Sequence, residues 1–247
     1  MKPKLADVTL VAVTSVAVGP TVQAMLASMR EVEFGKVLLL SDQPLPPDAD
    51  PAISWERIAR LSSRGDYSRF MLRELADHVG TAHALCVQWD GFVLNGAAWE
   101  PAFLEFDYVG AVWPHFSDGH DVGNGGFSLR SRRLLEACRQ LPFDGVEAED
   151  VVIGRKCRSE LEASGIRFAP ANVARRFAYE RSAPTGREFG FHGAYNLVEQ
   201  LSRGDADDLF RSLEHGMLAK NEWLELLWWA LKRGRLALAA MMLKRFF

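Results

Sequence analysis

The sequence predicts an α/β domain built on a mostly parallel sheet flanked by helices and followed by a C-terminal helical extension. Three observations predict it. The short runs "VTLVAVTS", "KVLLLSD" and "ALCVQWD" are apolar on both faces, as strands covered on both sides must be. Segments with helical spacing lie between them, and this alternation is the pattern of a parallel sheet with crossover helices. From about residue 197 the strand-like runs stop and the chain reads as helices. The division is therefore a domain over 1–196 and an extension over 197–247.

The first strand, 8–15, leads into a helix over 21–30, and the second strand, 36–42, ends at Ser41-Asp42. Proline-rich "QPLPPDADPA" is a loop, and "ISWERIA" leads out of it. "DYSRFMLRELADHV" carries Phe70, Leu72, Leu75 and Val79 at helical spacing, with Asp66 as its expected N-cap. "ALCVQWD" is the next strand. "FLEFDYVGAVWP" reads as a short strand with large aromatics, and "HFSDGHDVGNGG" as a loop. "FSLRS" is a brief strand, after which Ser131 caps the helix "RRLLEACRQL". A helix over 149–165 stops at Gly165, "IRFAP" is a strand, and "FGFHGAYN" is a glycine-rich turn. The extension holds "LVEQL", "ADDLFRSLEHGML" and one long helix over 221–246.

Composition narrows the function. Twenty-nine basic against thirty-two acidic side chains in 247 residues leave a net charge of −3, so nothing attracts the chain to nucleic acid in general. The apolar run near the start is interrupted by Asp7, Thr9, Thr14 and Ser15 and ends at Gly19-Pro20, which is a strand and not a signal peptide. No apolar stretch reaches the ~18 residues needed to span a bilayer. Cys86, Cys138 and Cys157 lack metal-ligand spacing and suit reduced thiols, which points to a cytoplasmic location.

Several short motifs carry chemistry, each with a plain structural alternative. "QWDG" puts Gln88, Asp90 and Gly91 where a buried strand runs out, which is either a turn or a ligand edge. "GNGGFSLRS" places Gly123, Gly125 and Gly126 within four residues, so backbone can approach a ligand or adopt positive φ. It is not a dinucleotide fingerprint, because a strand separates the glycines from the next helix. Glu147, Glu149 and Asp150 open a helix; they supply favourable charge there, or a general base. His192 in "FGFHG" is a half-buried ring, a metal ligand or a phosphate contact. His115, Asp118, His120 and Asp121 share one loop, either solvated or metal-binding.

In this order, Gln-x-Asp-Gly-Phe, Asp-Tyr-Val-Gly-Ala-x-Trp, Gly-Asn-Gly-Gly-Phe-Ser-Leu-Arg-Ser, Glu-Asp-Val and Phe-Gly-Phe-His-Gly resemble a family of uncharacterised domains similar to glycosyltransferases of the GT-A fold. The resemblance covers roughly residues 5 to 196. It implies transfer of a sugar from a nucleotide-sugar donor to an acceptor hydroxyl of a glycan or glycolipid. Such enzymes hold a divalent metal, Mn²⁺ or Mg²⁺, on an Asp-x-Asp; here Asp90 matches the last aspartate and Gln88 replaces the first. By the same match His192 is a late metal ligand, Asp150 the base and Glu149 an acceptor-hydroxyl contact. Thr14 and Ser15 would face the nucleotide with Tyr67 and Arg69 as neighbours, and Asn124, Gly125, Gly126 and Trp113 the acceptor. One base opposite the leaving group implies inversion.

Two other functions fit parts of the sequence. A binding module on the same fold would explain the missing first aspartate, and a metal-dependent hydrolase would use the His115–Asp121 loop. In the extension Lys232, Arg233, Arg235, Lys244 and Arg245 stand among leucines, methionines and two phenylalanines without an acid after Ala230. Such helices pack on a domain or a second subunit through anchors such as Trp223, Trp228 and Trp229, or lie on an anionic membrane.

Overall fold

A computed structural model describes residues 2–212, 218 and 220–246. The chain forms two compact units, Met1–His192 and Gly193–Phe247.

In the first unit, β1 (Lys4–Val13) and β2 (Glu33–Ser41) are joined by α1 (Val18–Glu31), and β3 (Ser54–Arg57) follows the proline-rich loop. After α2 (Arg64–Arg73) and α3 (Leu75–His78) come β4 (His83–Val87), β5 (Tyr108–Val109) and β6 (Phe127–Ser131). The sheet order is β3-β2-β1-β4-β6-β5, with β6 antiparallel to both its neighbours and the other pairings parallel. Chain order reverses direction between β1 and β4, which makes their carboxyl ends a topological switch point.

Strand periodicity sorts the apolar runs into two cores. Leu10, Ala12, Leu39, Leu85 and Val87 face an aromatic cluster that includes Phe103, Phe127, Phe177 and Phe189. Their sequence neighbours Val11, Val13, Leu38, Leu40, Ala84 and Cys86 face Phe70, Met71 and Leu75 of α2 and α3. Both faces are buried, so the strands lack polar alternation.

The remaining elements are α4 (Arg132–Cys138), α5 (Glu149–Val151), a π-turn over Val152–Lys156, α6 (Arg158–Ala163), α7 (Ala171–Phe177), and the parallel pair β7 (Ala178–Tyr179) and β8 (Gly190–Phe191). Ser131 caps α4 as expected, accepting from the N–H of Leu134 at 3.0 Å.

Local chemistry moved several boundaries. The N-cap of α2 is Ser63, not Asp66: Ser63 Oγ accepts from Asp66 N at 3.0 Å, and Asp66 Oδ2 accepts from Ser62 N at 3.1 Å. The two side chains split the capping work, and the serine sits where the chain is still extended. The helix then breaks at Glu74, although Phe70, Leu72, Leu75 and Val79 are all buried as expected. β4 ends at Val87, so Gln88–Asp90 form the turn beyond it. The strand expected over 103–114 is only Tyr108–Val109, and "IRFAP" contributes one bridge, Phe168 to Tyr108. The helix expected over 149–165 is interrupted by the π-turn, where Gly154 packs under the Trp113 ring, and it stops at Gly165 (φ +89). α7 and β7 were not anticipated; seven and two residues are too short to show a period.

The second unit contains α8 (Ala194–Gln200), α9 (Arg203–Ser212), α10 (Lys220–Lys232) and α11 (Leu236–Phe246). The single helix expected over 221–246 is two, because Gly234 takes a left-handed φ of +65°. Trp229 is buried and donates from Nε1 to Glu199, whereas Trp228 is exposed. Of the helix expected over 206–218, residues 213–217 lie outside the described residues, as do Ala219, Phe247 and the side chain of Arg245. Among the described residues no helix is long and apolar enough to cross a membrane.

Phe127 is fully buried against Phe177 and Phe189. Phe127→Ala should lower unfolding free energy by about 3–5 kcal/mol, read from the urea midpoint.

Candidate functional site

The pairing registers bring the motifs together. Val13 stands opposite Leu40, Ala12 opposite Val87, and Val87 opposite Phe127. Thr14–Ser15, Gln88–Asp90 and Asn124–Gly126 therefore all emerge at one edge of the sheet. The turn after β4 closes with the N–H of Gly91 donating to Gln88 O at 3.1 Å. A Cβ on Gly91 would lie 2.7 Å from Phe191 O and 3.2 Å from His192 Cδ2, so only glycine lets this turn approach β8.

The second sheet supplies the histidine. Tyr179 pairs with Phe191, which sets the next residues on each strand, Glu180 and His192, side by side. Nε2 of His192 lies 3.2 Å from Gln88 Oε1 and 3.3 Å from Asp90 Oδ1; Nδ1 lies 3.4 Å from Glu180 Oε1 and 3.0 Å from Asn124 Nδ2. Burial disfavours the charged ring, but the Asp90 and Glu180 carboxylates outweigh it and hold the imidazole well above its usual pKa. Burial acts on Glu180 too, and the ring overcomes it, keeping that carboxyl below its ordinary value. Asp90 is buried, and its Oδ1 has the ion-pair contact with His192 but no hydrogen bond.

The glycine-rich segment wraps the other side. Asn124 adopts a left-handed φ of +67°, and its Oδ1 accepts from the N–H groups of Gly126 and Phe127 at 3.1 and 3.2 Å. That turn leaves its Nδ2 beside His192. A Cβ on Gly126 would fall 2.0 Å from His192 Nε2, and one on Gly125 2.2 Å from Glu149 Oε1. Trp113 is buried with its ring pressed on Gly123.

Behind this segment lies a buried ion pair. Arg130, fully buried on β6, donates from Nη2 to Glu149 Oε1 at 2.9 Å and to Gly125 O at 3.3 Å, and from Nε to Ser128 Oγ at 3.0 Å. Glu149 is buried too, so its carboxylate answers the guanidinium. Its neighbour Asp150 accepts from Gly125 N at 2.9 Å and, through its other oxygen, from its own helix at Val151 N. Burial and the Glu149 charge push Asp150 up to about 6, against the pull of the Gly125 hydrogen bond.

The other expected site residues are placed as follows. Tyr67 OH accepts from Gln88 Nε2 at 2.9 Å, tying α2 to the edge, and burial pushes its phenol up. Thr14 Oγ1 accepts from Val16 N at 3.2 Å within its own loop, and Ser15 Oγ accepts from Leu61 N at 2.8 Å, which ties that loop to the segment before α2. Arg69 is exposed, with its guanidinium 5.6 Å from the Phe143 ring centroid, and makes no hydrogen bond to these residues. In the His115–Asp121 loop, Asp118 grips Arg155 with both oxygens at 2.8 Å, and Arg155 lies over Phe116. Among the described residues no group of three or more His, Cys, Asp or Glu side chains is arranged to hold a metal.

Sequence reasoning missed Glu180 and Arg130. Glu180 follows an unrecognised strand, and only the β7–β8 register links it to His192. Arg130 had a visible signal: an arginine within a five-residue apolar-type strand, followed by acids at a helix start.

Residues 53–192 match the family model described as "Protein of unknown function (DUF5672)". The match spans more than half of the sequence, so the chain belongs to this family. It ends at His192, where the first unit ends. Comparison with curated proteins finds no match. Among solved structures, the galactosyltransferase LgtC in complex with donor and acceptor sugar analogs is similar with a TM-score of 0.52 and 12% identity, over 88% of this chain and 99% of that one. A glycosyltransferase involved in glycosylation of the major capsid of PBCV-1 is similar with a TM-score of 0.50 and 11% identity, over 83% and 98%. A mannosyltransferase from Pyrobaculum calidifontis, in complex with GDP-Man and Mn²⁺, matches 66% of this chain but only 53% of its own length, with a TM-score of 0.44 and 14% identity. The likeness to the first two is one of fold: a mainly parallel sheet flanked by helices, as in GT-A glycosyltransferases.

Glu149→Leu leaves Arg130 buried without its carboxylate and should cost about 3–5 kcal/mol of stability, measured by urea denaturation. Glu149 acting only as an acceptor contact would leave stability unchanged.

Proposed function

We propose that this member of the family is a glycosyltransferase that moves a sugar from a nucleotide-sugar donor to an acceptor hydroxyl. The observation that carries the reading is Asp90: a buried carboxylate oxygen without a hydrogen bond, beside Gln88 and His192, at the switch point of the sheet. Open α/β sheets bind ligands in that crevice.

The donor set fits a divalent cation, Mn²⁺ or Mg²⁺. Asp90 Oδ1, Gln88 Oε1 and His192 Nε2 would hold it. Glu180, facing Nδ1, would fix the ring and its tautomer, as carboxylates behind metal-bound histidines do. Three protein donors are fewer than a full shell, which suits a cation that also takes phosphate oxygens and water. When bound, it would neutralise the departing diphosphate.

The chain's own residues do the rest. Asp150, with a pKa of about 6, is ionised at neutral pH yet more basic than an ordinary carboxylate, and so suits removal of the acceptor proton. The N–H of Gly125 orients it, and Arg130 anchors both Gly125 and the neighbouring Glu149. Thr14, Ser15 and Tyr67, with Arg69 at the rim, belong to the donor side; Asn124, Gly125, Gly126 and Trp113 belong to the acceptor side. A single base opposite the leaving group gives inversion at the anomeric carbon.

Gln88 in the first metal position favours a second reading, a domain that binds nucleotide sugars without turning them over. It differs by predicting donor binding with neither transfer nor hydrolysis.

A nucleotide sugar at a hundred times its dissociation constant, with Mn²⁺, should stabilise the fold by about 2.7 kcal/mol in a thermal-shift screen. Asp90→Ala should abolish the metal-dependent part of that shift; an undiminished shift in this variant would overturn the assignment. Asp150→Asn should retain donor binding while transfer falls by about 10²–10⁴-fold. Because the base must be ionised, wild-type kcat/KM should rise with pH through about 6 and then level off. A flat profile between pH 5 and 8 would remove Asp150 from that role.

A further inference from the structure

A second concave region lies in the first unit, among residues that the sheet-edge site does not use. It is a cleft of about 680 Å³ lined by Ala97, Ala98, Trp99, Glu100, Arg175, Arg176, Thr185 and Arg187. That volume accommodates a ligand of two or more sugar rings. Its charge is lopsided. Arg176 is matched by Glu100, which accepts from Nε at 2.6 Å and from Nη2 at 3.0 Å. Arg175 and Arg187 have no hydrogen-bond or ion-pair partner for their guanidinium groups among the described residues. The nearest other acid in sequence, Glu188, is buried and saturated: it accepts from the N–H groups of Thr185, Gly186 and Arg187 and from Thr185 Oγ1. Two unanswered positive charges therefore face one cleft.

The apolar wall has an equally specific character. Trp99 is half-buried, held edge-on by Phe103 and Phe189 at centroid distances of 5.4 and 5.1 Å. Its backbone is fixed by the N–H of Trp99 donating to Gly96 O. Its indole N–H has no hydrogen-bond acceptor among the described residues. Rigid indoles beside small alanines offer a flat face to the C–H face of a sugar ring. Paired guanidinium groups recognise a carboxylate or phosphate by forked hydrogen bonds. Arg175 alone would be explained as a cation at the end of α7, where the helix dipole favours it. Arg187 lies on no helix, so that explanation does not cover the pair.

We propose that this cleft is a second carbohydrate site, taking a glycan that carries a carboxylate or phosphate. It rests on the glycosyltransferase reading only in making the ligand a glycan, and it assigns anionic glycans as the acceptor class. The aromatic face holds the ring and the two arginines the charge. The cleft and the sheet-edge site share the segment from Glu180 to His192, which passes from one to the other.

Titration calorimetry of the full chain tests this, with a hyaluronan tetrasaccharide, mannose 6-phosphate, the neutral maltotetraose and inorganic phosphate as probes. One of the two charged sugars should bind at least tenfold more tightly than maltotetraose and than inorganic phosphate, and which one binds identifies the anion. The Arg175→Gln/Arg187→Gln double variant should lose that binding at least tenfold, with its melting temperature unchanged. Asp90→Ala should leave it intact. Binding lost in Asp90→Ala but kept in the arginine variant would put the glycan at the sheet edge and overturn the proposal. So would equal binding of maltotetraose, binding of phosphate no weaker than of the sugars, or no binding of either charged sugar. If Asp90→Ala and wild type alike fail to bind nucleotide sugars while the charged sugar still binds, the transferase reading falls and this site stands.

Discussion

The structure around the candidate site depends on one imidazole. His192 touches four residues from three chain segments: Gln88 and Asp90 beyond β4, Asn124 in the glycine-rich loop, and Glu180 beyond β7. Its position constrains backbone as well as side chains. Gly91 and Gly126 flank the ring so closely that a methyl group at either would have to displace it or β8. Asn124 accepts a left-handed backbone, uncommon outside glycine, because its own side chain bonds the two following amides there. The two glycines are thus explained by packing against a ring 66 or more residues away, and the asparagine by the turn that its own side chain closes.

A second buried polar element, the Arg130–Glu149 pair, plays a different part. Ion pairs in protein interiors often contribute little net stability, because desolvation offsets the attraction. Here the pair also determines geometry. Arg130 bonds the carbonyl of Gly125 while Asp150 accepts from its N–H, so the peptide groups on both sides of Gly125 are held. The guanidinium also limits how far burial raises the Asp150 carboxyl, while the charge of Glu149 raises it further. The same group that locks the loop therefore tunes its neighbour.

The parallel part of the fold was legible because doubly buried strands leave runs such as "KVLLLSD" that no exposed helix or loop shares. The motifs also fall along one edge of the sheet, where Asp90 and Asn124 both contact His192 and Asp150 accepts from the N–H of Gly125. What stayed hidden was what pairing register alone determines. Glu180 is an ordinary glutamate in "FAYERS" until Tyr179 pairs with Phe191. The break at Glu74, the π-turn after Val151 and the cap at Ser63 were likewise illegible. In each, local hydrogen bonding competes with a periodic pattern that continues unbroken in the buried side chains.

Charge balance gives the glutamine at position 88 a physical basis. Asp90 and Glu180 already place two carboxylates against one ring that carries at most a single positive charge. An aspartate at 88 would add a third negative charge to this buried cluster, and its shorter side chain would have to span the same gap. The amide avoids both costs. Its Nε2 donates to Tyr67 OH and its Oε1 faces His192 Nε2, so one neutral group bonds in two directions. Gln88 thus keeps an oxygen at the site's centre while linking it to α2, a connection that a carboxylate, which only accepts, would make solely with a phenol that donates.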